Sequence, residues 1–136
     1  MTIQWEDNLK LGVVAIDEQH EEIFVYFDKL THALQMGEGS RIILDLLAYL
    51  GRYTSTHFNN EESLMELHRY PGLELQRQQH SRFRENLALL SESIAKNSPR
   101  NEIAIRVDAV LIKYFITHIR KLDKEFVDFI KSRPVS

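Results

Sequence analysis

The sequence predicts an all-α protein, an up-down-up-down antiparallel four-helix bundle with an extended N-terminal arm. Three observations lead there. Apolar residues recur at three- and four-residue spacing through four long stretches. These stretches are separated by short segments of helix-breaking residues, MGEGS at 36–40, YPG at 70–72 and KNSPRNE at 96–102. No segment alternates polar and apolar residues as a half-buried strand would.

The arm covers about 1–16, where Trp5, Leu11, Val13, Val14 and Ile16 follow no helical period. Asp17 reads as the N-cap of the first helix, expected over 18–36 with His20, Ile23, Phe27, Leu30 and Leu34 on one face. The second helix is expected over 41–68. Its inner face is Ile43, Leu46 or Leu47, Leu50, Tyr53, His57, Glu61, Leu64 or Met65, and His68. The third, over 73–96, turns Gln76, His80, Phe83, Leu87, Leu90 and Ile94 inward. The fourth, over 102–131, turns inward Ile103, Val107, Val110 or Leu111, Tyr114, His118, Leu122, and Phe126 or Phe129. The tail KSRPVS is polar and expected to fray.

A length of 136 residues suits one domain, 1–136, with a core of respectable size. Net charge is −3 and the charged 27% are of mixed sign, so neither nucleic acid nor an anionic membrane is an expected partner. With no cysteine, disulfides, thiolate metal sites and thiol catalysis are excluded. There is no signal-peptide pattern and no apolar run near the roughly 20 residues of a membrane span. A soluble cytoplasmic protein, monomeric or weakly self-associating, is the expectation.

Antiparallel helices place residues equidistant from a turn at one height. By that rule His20, His57, His80 and His118, one per helix and all on inward faces, share one level of the bundle. Glu61 lies one turn beyond His57, opposite Gln76 and close to Asp123. Burying so many polar groups without a partner would cost several kcal/mol each, and a metal removes that cost. Imidazole and carboxylate without sulfur suit iron, manganese or zinc, and two carboxylates on facing helices can bridge two metals. One spacing is awkward. His118 and Asp123 are five apart, so on an ideal helix they diverge. Either both reach in from the flanks of the stripe, or the helix contains a π-bulge.

These residues resemble the hemerythrin family in its bacterial single-domain form, over nearly the whole chain. WEDNLKLGVVAIDEQH resembles the family's arm and first histidine, HFNNEESLM with YPGLELQRQQH its HxxxE helix and turn, and HIRKLD its HxxxxD. The resemblance implies two iron ions with an oxo or hydroxo bridge, binding dioxygen reversibly for carriage, storage or sensing. It implies His20 and His57 on one iron, the one that takes up oxygen. It implies Gln76, His80 and His118 at the other, with Glu61 and Asp123 bridging. The family has HxxxH where this chain has Gln76 before His80. Gln76 then either coordinates through its amide oxygen, or holds a water, or leaves that iron weakly bound. Neither His68, about 10 Å further along its helix, nor Glu74 can replace the lost imidazole. An altered oxygen affinity or faster autoxidation is expected.

Blander readings stand beside these. His68 is read as a turn residue contacting backbone, His32 as a surface residue, and Glu62 as a solvated neighbour of Glu61. Phe24, Tyr114, Ile119 and Leu122 are candidates for an apolar oxygen pocket, though Tyr114 has core packing as its simpler role. The competing functions are a di-iron oxidative or peroxidase-like enzyme and a variant with one metal site intact. Ferritin-like enzymes carry two Glu-x-x-His motifs, which this chain lacks, so binding rather than catalysis is the expectation.

Overall fold

The computed structural model describes residue 5 and residues 7–133. Four antiparallel helices enclose one core: α1 (Val14–Gln35), α2 (Ser40–Leu67), α3 (Leu73–Ala95) and α4 (100–132). Neighbours in sequence pack together, and α4 closes the ring against both α1 and α3. No strand occurs among the described residues, in keeping with the all-α four-helix bundle expected.

The three connections share one device. Gly37, Arg69 and Asn97 each follow a helix with positive φ, at 69°, 52° and 60°. After each, the next amide bonds back to a carbonyl one turn inside the helix: Glu38 to Ala33, Tyr70 to Met65 and Ser98 to Ser93. This closing pattern satisfies carbonyls that helix ends otherwise leave bare, and it reverses the chain within a few residues. Equal heights on facing helices follow from it.

Two expectations are corrected at the N-terminus. The arm is not wholly extended, because Asp7–Leu9 form a 3₁₀ turn and α1 begins at Val14. Asp17 therefore lies inside α1 rather than at its N-cap, which is Val13. Its carboxylate accepts the amides of Leu11 at 2.8 Å and Gly12 at 3.0 Å, fastening the arm to the helix. Lys131 of α4 donates to the Leu11 carbonyl at 2.8 Å from the other side. The expected fraying of the tail beyond 133 lies outside the described residues.

The last helix is where periodicity failed. α4 contains two π-turns, Asp108–Ile112 and Ile119–Asp123, between α-helical segments Arg100–Val107, Lys113–His118 and Lys124–Ser132. Each wide turn shifts the inward face by one position. Phe115 is consequently buried in place of Tyr114, and Asp123 in place of Leu122, while Phe126 is buried and Phe129 half-exposed. On α2, Leu47 and Met65 are the buried members of their pairs, and Thr54 is buried beside a half-buried Tyr53.

Candidate metal centre

Each histidine level sits where an apolar stripe is interrupted. Ile16 and Ile23 flank His20 on α1, Leu50 and Met65 bracket His57 and Glu61 on α2, and Phe83 follows Gln76 and His80 on α3. Burial of these stripes forces the polar residues between them inward as well. His20, His57, Glu61, Gln76, His80, His118 and Asp123 are all at most 5% exposed.

The seven meet in one slice of the interior. His57 Nε2 lies 2.9 Å from Glu61 Oε1, and His80 Nε2 lies 3.7 Å from the same oxygen. His20 Nε2 is 3.9 Å from Glu61 Oε2 and 3.1 Å from Asp123 Oδ2. His118 Nε2 is 3.1 Å from Asp123 Oδ1, which also accepts the Gln76 amide at 3.1 Å. The π-turn at Ile119–Asp123 is what brings His118 and Asp123 to one face despite their five-residue spacing. Of the two routes open to that pair, the chain takes the π-bulge.

Donor atoms fall into two groups that share Glu61. His20, His57, Glu61 and Asp123 form one; Glu61, His80 and His118 form the other. Most of these atoms lack an aligned hydrogen-bond partner among the described residues. They are both nitrogens of His20, Nε2 of His57, His80 and His118, both oxygens of Glu61, Oε1 of Gln76 and Oδ2 of Asp123. So dense a set of unsatisfied buried groups is unstable unless something else binds them. The donors, imidazole nitrogens and carboxylate oxygens without sulfur, fit first-row transition metals.

Two of the remaining imidazole nitrogens are engaged. His57 Nδ1 donates to Gln19 Oε1, and His80 Nδ1 donates to Glu62 Oε2 at 2.8 Å. Because these partners are acceptor oxygens, each ring keeps its proton on Nδ1 and turns the Nε2 lone pair toward the cluster. Glu62 is thus not solvated as expected. Its side chain is 17% exposed, and its other oxygen meets Arg77 Nε at 3.4 Å. Gln19 and Glu62 escaped the sequence reading because each lies one position off the inward stripe. Each is adjacent in sequence to a candidate donor, Gln19 to His20 and Glu62 to Glu61, yet serves a histidine on the next helix. Looking at the flanks of each histidine level would have found them.

Burial and close pairing govern the charges inside the cluster. Burial holds the His57 imidazole down to about 4, with the Asp123 charge pulling the other way. Burial, then the His118 charge, takes His80 down to about 2. Burial also pushes Glu61 well up, and Asp123 adds to it. Burial, the largest single influence, would lower His118, but the charge and hydrogen bond of Asp123 together with the Glu61 charge raise it. Burial would likewise raise Asp123, but the charges and hydrogen bonds of His118 and His20 together hold it well below the usual carboxylate range. In the metal-free chain one ion pair, His118 with Asp123, is thereby embedded beside His57 and His80, which burial holds neutral, and Glu61, whose ionisation burial opposes.

Aromatic rings wall the slice. Phe58 stacks on His80 with centroids 3.9 Å apart, and Phe115 lies edge-on to His20 at 5.6 Å. Phe115 was not expected, since the π-turn at Asp108–Ile112 puts it one position off the ideal stripe. Of the four candidate pocket residues, Phe24 and Ile119 are buried in the core, Phe24 between Trp5 and Phe115. Tyr114 and Leu122 instead line an outer cleft of about 350 Å³ with Leu75, Gln79, Thr117, His118 and Lys121. Tyr114 is tied there to Gln79 by its hydroxyl. His68 is half-buried, its ring 6.5 Å from Phe126 and near-perpendicular to it, while its carbonyl, not its ring, is hydrogen-bonded, to Arg133. His32 is exposed.

A helical bundle with a buried histidine–carboxylate cluster is the architecture of a metal-binding protein. This chain belongs to the hemerythrin family: the description "Hemerythrin HHE cation binding domain" matches residues 11–130. It is 29% identical over 127 residues to the bacteriohemerythrin of Pseudomonas paraeruginosa, covering 93% of this chain and 80% of that one. It is 27% identical to that of Stenotrophomonas maltophilia, covering 94% and 81%. With the bacteriohemerythrin of Clostridium acetobutylicum it shares 23% identity, over 91% of this chain and 98% of that one. Membership places it in the general class of di-iron, oxygen-binding proteins. No helix among the described residues is long and apolar enough to cross a membrane.

Proposed function

We propose that residues 1–136 form a single hemerythrin-like domain that holds two iron ions with an oxo or hydroxo bridge and binds dioxygen reversibly. The observation that carries this reading is the pair of donor groups sharing Glu61. His20 and His57 would hold one iron and His80 and His118 the other, with Glu61 and Asp123 as the carboxylates available to both. Gln76 offers an amide oxygen, a neutral and weaker donor, where a fifth imidazole would stand. When bound, the iron pair would lend electrons to dioxygen on uptake and recover them on its release.

The rest is done by the chain. Gln19 and Glu62 keep the protons of His57 and His80 on Nδ1, so that both rings present Nε2. Gln76 donates to Asp123 and fixes that carboxylate's orientation. Phe58 and Phe115 exclude bulk water from the slice, which slows irreversible oxidation of a ferrous pair. The short second donor group favours a lower oxygen affinity or faster autoxidation than a fully histidine-ligated pair would have.

Mixing the deoxygenated ferrous protein with air is the test. A visible band that forms in air and disappears under argon, over repeated cycles, is the expected result. Prompt bleaching to the ferric state in one cycle favours peroxidase-like oxidative chemistry instead.

A further inference from the structure

We propose that the position formed by Glu61, His80 and His118 accepts a small anionic donor from solvent, of the size of azide or hydroperoxide, through the cleft over His118. This rests on the di-iron reading and adds a second ligand site to it, apart from the dioxygen position on the His20–His57 iron.

Donor supply is unequal across the cluster by placement: four residues of one group lie within mutual reach against three of the other, with Glu61 counted in both, and Asp123 meets the second group only through Oδ1, which lies 3.1 Å from His118 Nε2 and also holds the Gln76 amide. The remaining candidate for the poorer group, Gln76, keeps its amide nitrogen on Asp123 and has only a neutral oxygen to give. An amide oxygen is a weak donor, so an anion can displace it where it could not displace an imidazole.

A path lies on the same side. The cleft of about 350 Å³ has His118 in its wall, so it approaches the poorer group from behind a ring whose Nε2 is itself buried in the cluster. Leu75, next to Gln76 in α3, and Gln79, four residues beyond Leu75, line it opposite Thr117 and Lys121 of α4. Lys121 contributes positive charge at the mouth, and Thr117 and Gln79 contribute polar groups. These features favour a small anion over a neutral apolar gas.

The probe is sodium azide, titrated into the diferric full-length protein after iron content has been measured. Two azides per iron pair are expected, with separable affinities. Gln76→His abolishes the second by filling its position with imidazole. Thr117→Trp, a change at an exposed position of the cleft wall, slows association of the second azide by about tenfold without altering its stoichiometry. One azide per pair in the unmodified chain overturns the proposal and leaves the dioxygen reading standing, as does a second azide that survives in Gln76→His. An unchanged association rate in Thr117→Trp overturns the route. Fewer than two irons per chain overturns both readings.

Discussion

Glu62 on α2 and His80 on α3 are joined at 2.8 Å, carboxylate oxygen to Nδ1. His57 has the neutral counterpart, the amide oxygen of Gln19. The two halves of the cluster thus differ in charge, with the anionic partner behind the donor-poor half. A carboxylate behind an imidazole raises its basicity as a ligand. Glu62→Gln keeps the shape and removes the charge. It should weaken one of the two metal positions by about tenfold, and Glu62→Ala by up to about a hundredfold. Chelator competition on the iron-loaded protein measures both, and curves matching the unmodified chain would show that Glu62 has no such role.

Gln76→His restores an imidazole to the donor-poor group. Slower autoxidation in air, by several-fold, is expected, with iron content unchanged. Gln76→Leu should act the opposite way, because it also strips Asp123 of its amide donor and leaves a buried carboxylate less satisfied. Stopped-flow decay of the oxygenated band ranks the three chains.

The π-turn at Ile119–Asp123 exists at a cost in helix geometry, and its benefit is placing Asp123 beside His118. Deleting Arg120, an exposed residue within it, should return the segment to α-helical spacing and leave His118 and Asp123 four apart, still on one face. Helicity measured by circular dichroism should persist and two irons should be retained. Loss of iron would mean that the wide turn itself, and not only the shared face, is needed to position the pair.

Metal-free stability should depend on pH with a definite sign. Between about 4.5 and 6.5 the unfolded chain protonates His57, His80 and His118, three protons from these groups. The folded chain protonates only His118, raised, and Glu61, also raised, because burial keeps His57 at about 4 and His80 at about 2. Asp123 is ionised in both states. The unfolded state therefore binds more protons, so stability rises with pH in this window. Above about 6.5 the unfolded histidines lose their protons while His118 and Glu61 keep theirs, and stability falls again. Urea denaturation of the chelated protein from pH 4.5 to 8 should show a maximum near pH 6.5; a monotonic profile would contradict it.

Phe115 touches His20, His57 and His118 as well as Phe24, Phe27 and Phe83. Phe115→Ala should destabilise the fold by roughly 3–5 kcal/mol. Phe115→Leu should cost less yet still speed autoxidation, since the gap beside the cluster admits water. Chemical denaturation and the decay of the oxygenated band separate the two effects.

The bundle was legible in the sequence because its turns are short and its stripes regular. Equal spacing from each turn sufficed to bring His20, His57, His80 and His118 to one level, and Glu61 opposite Gln76. α4 was less legible, since two π-turns move its inward face by one residue each. Tyr114 and Leu122 fit the ideal stripe, and Phe115 and Asp123 occupy the real one. Only the five-residue gap from His118 to Asp123 hinted at this. Glu62 and Gln19 were hidden for another reason: their partners lie across a helix–helix boundary that face patterns do not resolve.

Metal stoichiometry bears most directly on the paired donor groups around Glu61. Purified chain supplied with ferrous iron under argon, desalted and analysed by elemental mass spectrometry should contain two irons, falling to at most one in Glu61→Ala. A chain that holds no iron, or one that keeps two after Glu61 is removed, would contradict the shared-carboxylate centre.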